Sequence, residues 1–75
     1  MPASRLPSGW VPLASTNVRA ARYDEDSATL SVVFHSGGEY DYYNVSPQVA
    51  AGLFEAASPG RYVKDVLNGF SYSGG

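Results

Sequence analysis

The stretch from Ala28 to His35, ATLSVVFH, decides the fold that this sequence predicts. Leu30, Val32 and Phe34 fall at every second position, and the run is rich in β-branched side chains. A period of two with β-branched residues is the pattern of a β-strand that buries one face. We therefore predict a strand here that buries the side of Leu30, Val32 and Phe34.

The residues that follow predict a hairpin. Ser36-Gly37-Gly38 is a turn signal, and a second strand-like run, EYDYYNV, extends from Glu39 to Val45. A two-residue loop would place Val32 opposite Tyr43, whereas a three-residue loop over 36–38 would place Val32 opposite Tyr42. We favour the three-residue loop, because it keeps the apolar side chains of both strands on one face.

Further elements lie on both sides of this hairpin. Upstream, Asn17 to Tyr23 is a weaker strand pattern, and the acidic run at 24–27 has the composition of a turn. Downstream, Ser46-Pro47 has the N-cap and N1 residues of a helix that we extend to about Ala57. Ser58-Pro59-Gly60 repeats that signal, and a shorter helix is expected from Arg61 to about Asn68.

Strands followed by helices define the α+β class. We predict a three-stranded antiparallel β-meander followed by two helices packed on one sheet face. Residues 1–15, which hold Pro2, Pro7 and Pro12, are expected to form an extended or flexible arm. The domain itself is expected to span residues 16–72, and residues 73–75 a flexible tail.

The composition limits the classes of function. The chain has 75 residues, no cysteine, a net charge of −2 and only 16% charged residues. Disulfides and cysteine-ligated metals are excluded, and binding of long nucleic acid is disfavoured because it requires many basic residues. No apolar run approaches the length that spans a bilayer, and we expect a cytoplasmic protein. Because so small a core stabilises weakly, self-association is the simplest source of further stability.

From Thr16 to Phe70 the sequence resembles the KTSC domain, named for the C-terminal domain of some lysyl-tRNA synthetases and also found in small bacterial and phage proteins. The residues that carry the resemblance are Tyr23-Asp24, Leu30, Val32, Phe34, Gly37, Tyr40-Asp41-Tyr42, Val45-Ser46-Pro47, Ala56, Ser58, Gly60 and Tyr62. The resemblance implies the fold, but the family has no established common activity. This chain has Val63-Lys64 and Leu67-Asn68 where the family usually continues with Asn and a basic Ile-Arg pair. That difference weakens any inherited role in RNA contact.

The polar residues offer no catalytic or metal site. His35 is the only histidine, and no nucleophile–base pair or ligand set accompanies it. We predict that it is an exposed polar residue beside the turn. The acidic residues Asp24, Glu25 and Asp26 lack the spacing of a calcium loop, so we interpret them as a solvated turn.

The tyrosines of the second hairpin strand have two interpretations. Tyr40 and Tyr42 either pack in the core or form a platform on which bases stack. We favour core packing, because the helices are expected to cover their face. Tyr43 points the other way and is the better candidate for an exposed aromatic residue that binds a ligand.

The start of the second helix is the candidate anion site. Ser58 and Gly60 precede Arg61 and Lys64, and a helix N-terminus offers free N–H groups to a phosphate. The simpler interpretation is that Ser58 caps the helix and both cations are solvated. Our leading hypothesis is therefore a non-enzymatic interaction module that binds itself or a protein partner. The alternative is a binder of nucleotides or RNA that uses this helix start.

Overall fold

The sheet has five strands, two more than the sequence predicts. A computed structural model describes residues 9–74. Its strands are β1 (Val11–Pro12), β2 (Val18–Asp24), β3 (Thr29–Phe34), β4 (Glu39–Tyr42) and β5 (Tyr72–Gly74). They are antiparallel and lie in the order β1-β2-β3-β4-β5. The α+β class is confirmed, but the three-stranded count is wrong. The added strands are too short to show a period of two and form only by pairing with a neighbouring strand.

Two helices connect β4 to β5. Helix α1 spans Pro47–Glu55, helix α2 spans Pro59–Asp65, and a 3₁₀ helix follows at Leu67–Gly69. Ser46 caps α1, since its Oγ accepts a hydrogen bond from the Val49 N–H at 3.3 Å. Helix α1 therefore begins at the proline that the sequence marks, whereas α2 begins at Pro59, two residues before the predicted start at Arg61. Helix α2 also ends earlier than predicted because its last turn tightens into the 3₁₀ helix.

The β3–β4 hairpin has the predicted facing but not the predicted register. Val32 pairs with Tyr40 rather than with Tyr42. The three-residue loop is 35–37, because Gly37 adopts a positive φ of 104° and its N–H donates to the Phe34 carbonyl oxygen at 2.9 Å. The loop therefore begins one residue earlier than predicted, and each β3 residue pairs with a β4 residue two positions earlier than predicted. A shift of two leaves every side chain on its expected face.

A bulge in β2 decides which of its residues are buried. Val18 pairs with Phe34 and Ala20 with Val33, so Arg19 is an extra residue in the ladder. Ala21, rather than Ala20, therefore joins Val18 on the buried face, and its side chain is fully buried.

The core lies between the inner face of the sheet and the helices. Its buried apolar residues are Val18, Ala21, Tyr23, Leu30, Val32, Tyr42, Val45, Ala50, Leu53, Val63 and Leu67. Tyr23 secures the β4–α1 connection, because its hydroxyl donates to the Val45 carbonyl oxygen at 2.6 Å. Tyr62 of α2 donates to the Val49 carbonyl oxygen at 2.7 Å and so ties the two helices together.

Both ends of the domain are more regular than predicted. Of the predicted arm, residues 1–8 lie outside the described residues, whereas Val11–Pro12 pairs with β2. Of the predicted flexible tail, Ser73 and Gly74 lie in β5, and residue 75 is outside the described residues. Gly74 has a φ of 114°, and a Cβ there would collide with the Glu39 carbonyl oxygen. Glycine thus allows β5 to approach β4 closely.

Within residues 9–74 no helix is long and apolar enough to cross a membrane.

Candidate interaction surface

The predicted anion site at the start of α2 lacks the features of a phosphate cradle. Ser58 precedes the helix, but its side chain makes no capping hydrogen bond. The helix has seven residues, so few aligned peptide dipoles contribute to its N-terminal charge. No side-chain contact of Ser58 supports either the capping role or the ligand role predicted for it.

Gly60 has a structural reason to be glycine. A Cβ at this position would lie 2.7 Å from the Asn17 Nδ2 atom. Side chains at residue 60 would therefore push Asn17 away, and glycine allows the segment before β2 to pack against α2. The space that we expected a ligand to use is filled by a side chain of the same chain.

The two cations of this corner do not act together. The Arg61 Nε atom lies 3.3 Å from the Asp65 Oδ2 atom, one turn later on the same helix, and both side chains are largely exposed. Lys64 is exposed and lines a shallow cavity of about 380 Å³ that also contains Gly60 and His35. The structure thus brings Gly60 and Lys64 together but directs Arg61 into a surface ion pair.

His35 and the acidic turn also make local contacts. The His35 Nε2 atom lies 2.9 Å from the Ser15 carbonyl oxygen, and the residue is exposed, as expected. Asp24 Oδ1 accepts the Asp26 N–H at 3.1 Å, which is an Asx turn. Over the part of the chain that the structure describes, no group of three His, Asp or Glu side chains could hold a metal ion.

Tyr40 and Tyr42 lie on the inner face of the sheet, where the sequence analysis places them. Tyr42 is 7% exposed, and its ring stacks on that of Tyr40 with centroids 6.5 Å apart. Burial, and secondarily the neighbouring Tyr40 and Tyr72 hydroxyls, raise the pKa of Tyr42 above its ordinary value. Tyr40 is half-buried and packs against the core, in edge-on contact with Phe34 at 5.6 Å.

Tyr72 is the residue that sequence reasoning missed. It pairs with Tyr42 across the β4–β5 ladder, and its ring centroid lies 5.7 Å from Tyr40 and 5.8 Å from Tyr42. Its side chain is nevertheless 59% exposed. We call Phe34, Tyr40, Tyr42 and Tyr72 the aromatic cluster. The alternation in Ser71-Tyr72-Ser73 was a strand signal, but the glycines after it favoured a tail.

Tyr43 lies on the outer face of the sheet and is 37% exposed. Its hydroxyl makes a short hydrogen bond with the Ser73 Oγ atom, which links β4 to β5 on that face. Beside it, the Ser31 hydroxyl donates to Asp41 Oδ1 at 2.7 Å. A cavity of about 570 Å³ on this face is lined by Arg22, Tyr23, Asp24, Glu25, Asp26, Ser27, Thr29, Ser31, Asp41 and Tyr43. Tyr43 is thus part of a polar network rather than a free stacking ring.

Comparison with known proteins agrees with this fold. The sequence profile of the KTSC domain matches residues 14–72, from just after β1 to the first residue of β5. The chain belongs to the KTSC family. The crystal structure of a KTSC domain protein from Yersinia pestis is similar, with a TM-score of 0.84 and 27% sequence identity. That similarity covers 88% of this chain and 94% of the Yersinia chain.

Two further bacterial proteins are similar in sequence to this KTSC domain. A protein from Tsukamurella paurometabola is 38% identical over 56 residues, which are 75% of this chain and 84% of that protein. An uncharacterized protein from Stutzerimonas stutzeri is 40% identical over 57 residues, 76% of this chain and 80% of its own length. The family assignment made from the residues is confirmed. β1 and most of β5 lie outside the residues that the family profile matches.

Proposed function

We propose that this KTSC domain is a non-enzymatic interaction module that associates with itself. The observation that carries the proposal is Tyr72, a ring that packs against Tyr40 and Tyr42 and yet is 59% exposed at the edge of the sheet. An aromatic ring that is half covered within its own chain contributes more once a partner covers the remainder.

The size of the domain also supports the proposal. Small domains bury a modest fraction of their surface, and a chain without cysteine has no disulfide to compensate. Covering the aromatic cluster by association would add apolar contact to a small core. We place the module in the cytoplasm, where reducing conditions suit a chain without cysteine.

The nucleotide hypothesis has weaker support from the geometry. Arg61, which was to bind the phosphate, is paired with Asp65, and Asn17 fills the space beside Gly60. Among the described residues, no buried side-chain nitrogen or oxygen lacks a hydrogen-bond partner, so none awaits a ligand. We therefore propose self-association ahead of nucleotide binding.

Sedimentation equilibrium over a concentration series tests the proposal. We expect the weight-average mass to rise above 8.0 kDa as the protein approaches about 1 mM, since a small interface binds weakly. A mass that stays at the monomer value throughout would contradict self-association. A parallel titration with nucleotides and short RNA, monitored at the amides of residues 60–64, tests the alternative. Shifts there with a monomeric mass would reverse the order of the two hypotheses.

A further inference from the structure

The two edges of the sheet differ in their ability to accept another strand. Edge strand β1 has two residues, one of which is Pro12, a residue with no N–H to donate. Next to it, Trp10 lies over the Arg22 guanidinium at 4.8 Å, which puts a bulky charged pair beside this edge. Short length, proline and nearby charge are the features with which natural sheets prevent edge-to-edge pairing.

Edge strand β5 has none of those protective features except shortness. Its residues, Tyr72–Gly74, carry no charge and no proline. All three are exposed. The bulge of this sheet lies in β2, on the other side of the molecule. β5 is thus the edge at which a further strand can add.

The hydrogen bonds to β4 show which β5 groups are available. The Tyr43 N–H donates to the Ser71 carbonyl oxygen at 2.9 Å, so Ser71 points its backbone groups toward β4. Direction alternates along an antiparallel strand, and Ser73 therefore also faces β4. Tyr72 and Gly74 direct their N–H and C=O groups away from the sheet. These are the groups that a second strand would bond.

We infer that β5 pairs antiparallel with β5 of a second copy, in a closed two-fold dimer centred on Ser73. This inference rests on the proposed self-association and specifies its geometry. In that register Tyr72 of each copy exchanges both backbone hydrogen bonds with Gly74 of the other. A two-fold contact uses the same patch on both copies, so a chain with one available edge stops at the dimer instead of forming a fibre.

The side chains fit this arrangement. On the inner face, Tyr72 would lie over Gly74 of the second copy, which has no side chain, and next to Tyr40 of that copy, which pairs with Gly74 in the ladder. The two aromatic clusters would then form one continuous stripe. On the outer face the nearest carboxylates are the two copies of Asp41, three strand spacings apart or about 14 Å. That separation exceeds the screening length of about 8 Å at physiological salt, so their repulsion is small.

Cysteine cross-linking tests the register, since the chain has no cysteine of its own. Ser73 would face Ser73 of the second copy as a non-hydrogen-bonded pair, with Cβ atoms about 4.5–5.5 Å apart. Under mild oxidation, Ser73→Cys is expected to give a disulfide-linked dimer in high yield. Ser27→Cys, an exposed serine in the β2–β3 turn, is the control and should stay largely monomeric. Equal cross-linking of the two variants would overturn the proposed register.

A pair of lysine variants tests the surface. Tyr72→Lys puts a charge on the edge and should raise the dimer dissociation constant at least about tenfold. Trp10→Lys makes the same kind of change beside the opposite edge of the sheet, and should leave the dissociation constant within about twofold. Dimers that tolerate Tyr72→Lys would refute the β5 interface while leaving self-association intact. A wild-type protein that is monomeric throughout would refute both.

Discussion

The two edges of this sheet are built differently, and the difference concerns exposure rather than strand length. At the β1 edge, Trp10 covers Arg22 and Pro12 removes a backbone donor. At the β5 edge, an aromatic residue, Tyr72, rests on the aromatic residues of β4 and remains open to solvent. A five-stranded sheet can therefore close one edge by its own sequence and leave the other for a partner. The difference between the β1 and β5 edges, rather than any pocket, is therefore the feature that the following experiments test.

The largest effect is expected from Leu30→Ala, which removes a fully buried side chain from the central strand between the two edges. The cavity should lower the free energy of unfolding by about 2–5 kcal/mol, a large share of the stability of so small a domain. Chemical denaturation with hydrogen exchange would measure it. Both edges should lose amide protection together, and protection that survived at either edge alone would show that the sheet is not one cooperative unit.

Gly74→Ala should have the next largest effect, and it should act on one edge only. The added Cβ meets the Glu39 carbonyl oxygen, and alanine strongly disfavours the positive φ of this residue. We expect a loss of about 1–3 kcal/mol and the release of β5 from β4. The measurement is the exchange rate of the Tyr43 amide, which is bonded to Ser71 in the wild type.

The matched substitution at the opposite edge is Pro12→Ala. It restores an N–H on an exposed residue and should change stability by no more than about 0.5 kcal/mol. If Pro12→Ala destabilised the protein as much as Gly74→Ala, the two edges would be equally integrated and the asymmetry would be wrong.

Alkaline pH should also distinguish the edges. Burial, followed by Tyr40 and Tyr72, raises the pKa of Tyr42 above its ordinary value, so the unfolded chain loses this proton first. Its contribution to stability is then complete below the unfolded value of about 10, and is lost as pH rises through the folded-state pKa. We expect the free energy of unfolding to fall as pH rises above about 10, less steeply in Tyr42→Phe. Tyr23 and Tyr62, whose pKa burial also raises, contribute to the remaining slope.

The β5 edge should loosen before the β1 edge over that range, because Tyr42 pairs directly with Tyr72 of β5. The β1 edge has Trp10, which bears no titrating group. Hydrogen exchange of Tyr43 and of Leu13, whose N–H donates to Arg19 across the β1 side, would compare them. Simultaneous loss of protection would count against a separate role for the tyrosines.

A small effect is also expected from the aromatic residue beside the β1 edge. Trp10→Ala removes the contact with Arg22, and because both groups are exposed the loss should be about 0.5–1 kcal/mol. A double-mutant cycle with Arg22→Ala would isolate the pairwise part. Additive effects would mean that the ring and the cation do not stabilise this edge together.

The sequence predicted some residues of the candidate site correctly and missed others. Tyr40 and Tyr42 were placed on the inner face, and Tyr43 on the other, by the choice of a three-residue hairpin loop. Tyr72 was assigned to no strand, since three residues before a glycine pair carry too little periodicity. Gly60 and Arg61 were candidate ligand residues beside the simpler interpretation of a helix start with solvated cations, and sequence could not show that Asn17 and Asp65 lie beside them.

By itself, the sequence determined the α+β class, the inward-facing stripe of Leu30, Val32 and Phe34, the start of α1 and the KTSC family. These features depend on local periodicity, capping residues and an ordered set of motifs, which are properties of neighbouring residues. Only the tertiary structure decided the register of the hairpin, the bulge in β2, the two added strands and the contrast between the edges. Each of those depends on contacts between residues far apart in the chain. A two- or three-residue strand exists only because another strand already presents its free N–H and C=O groups.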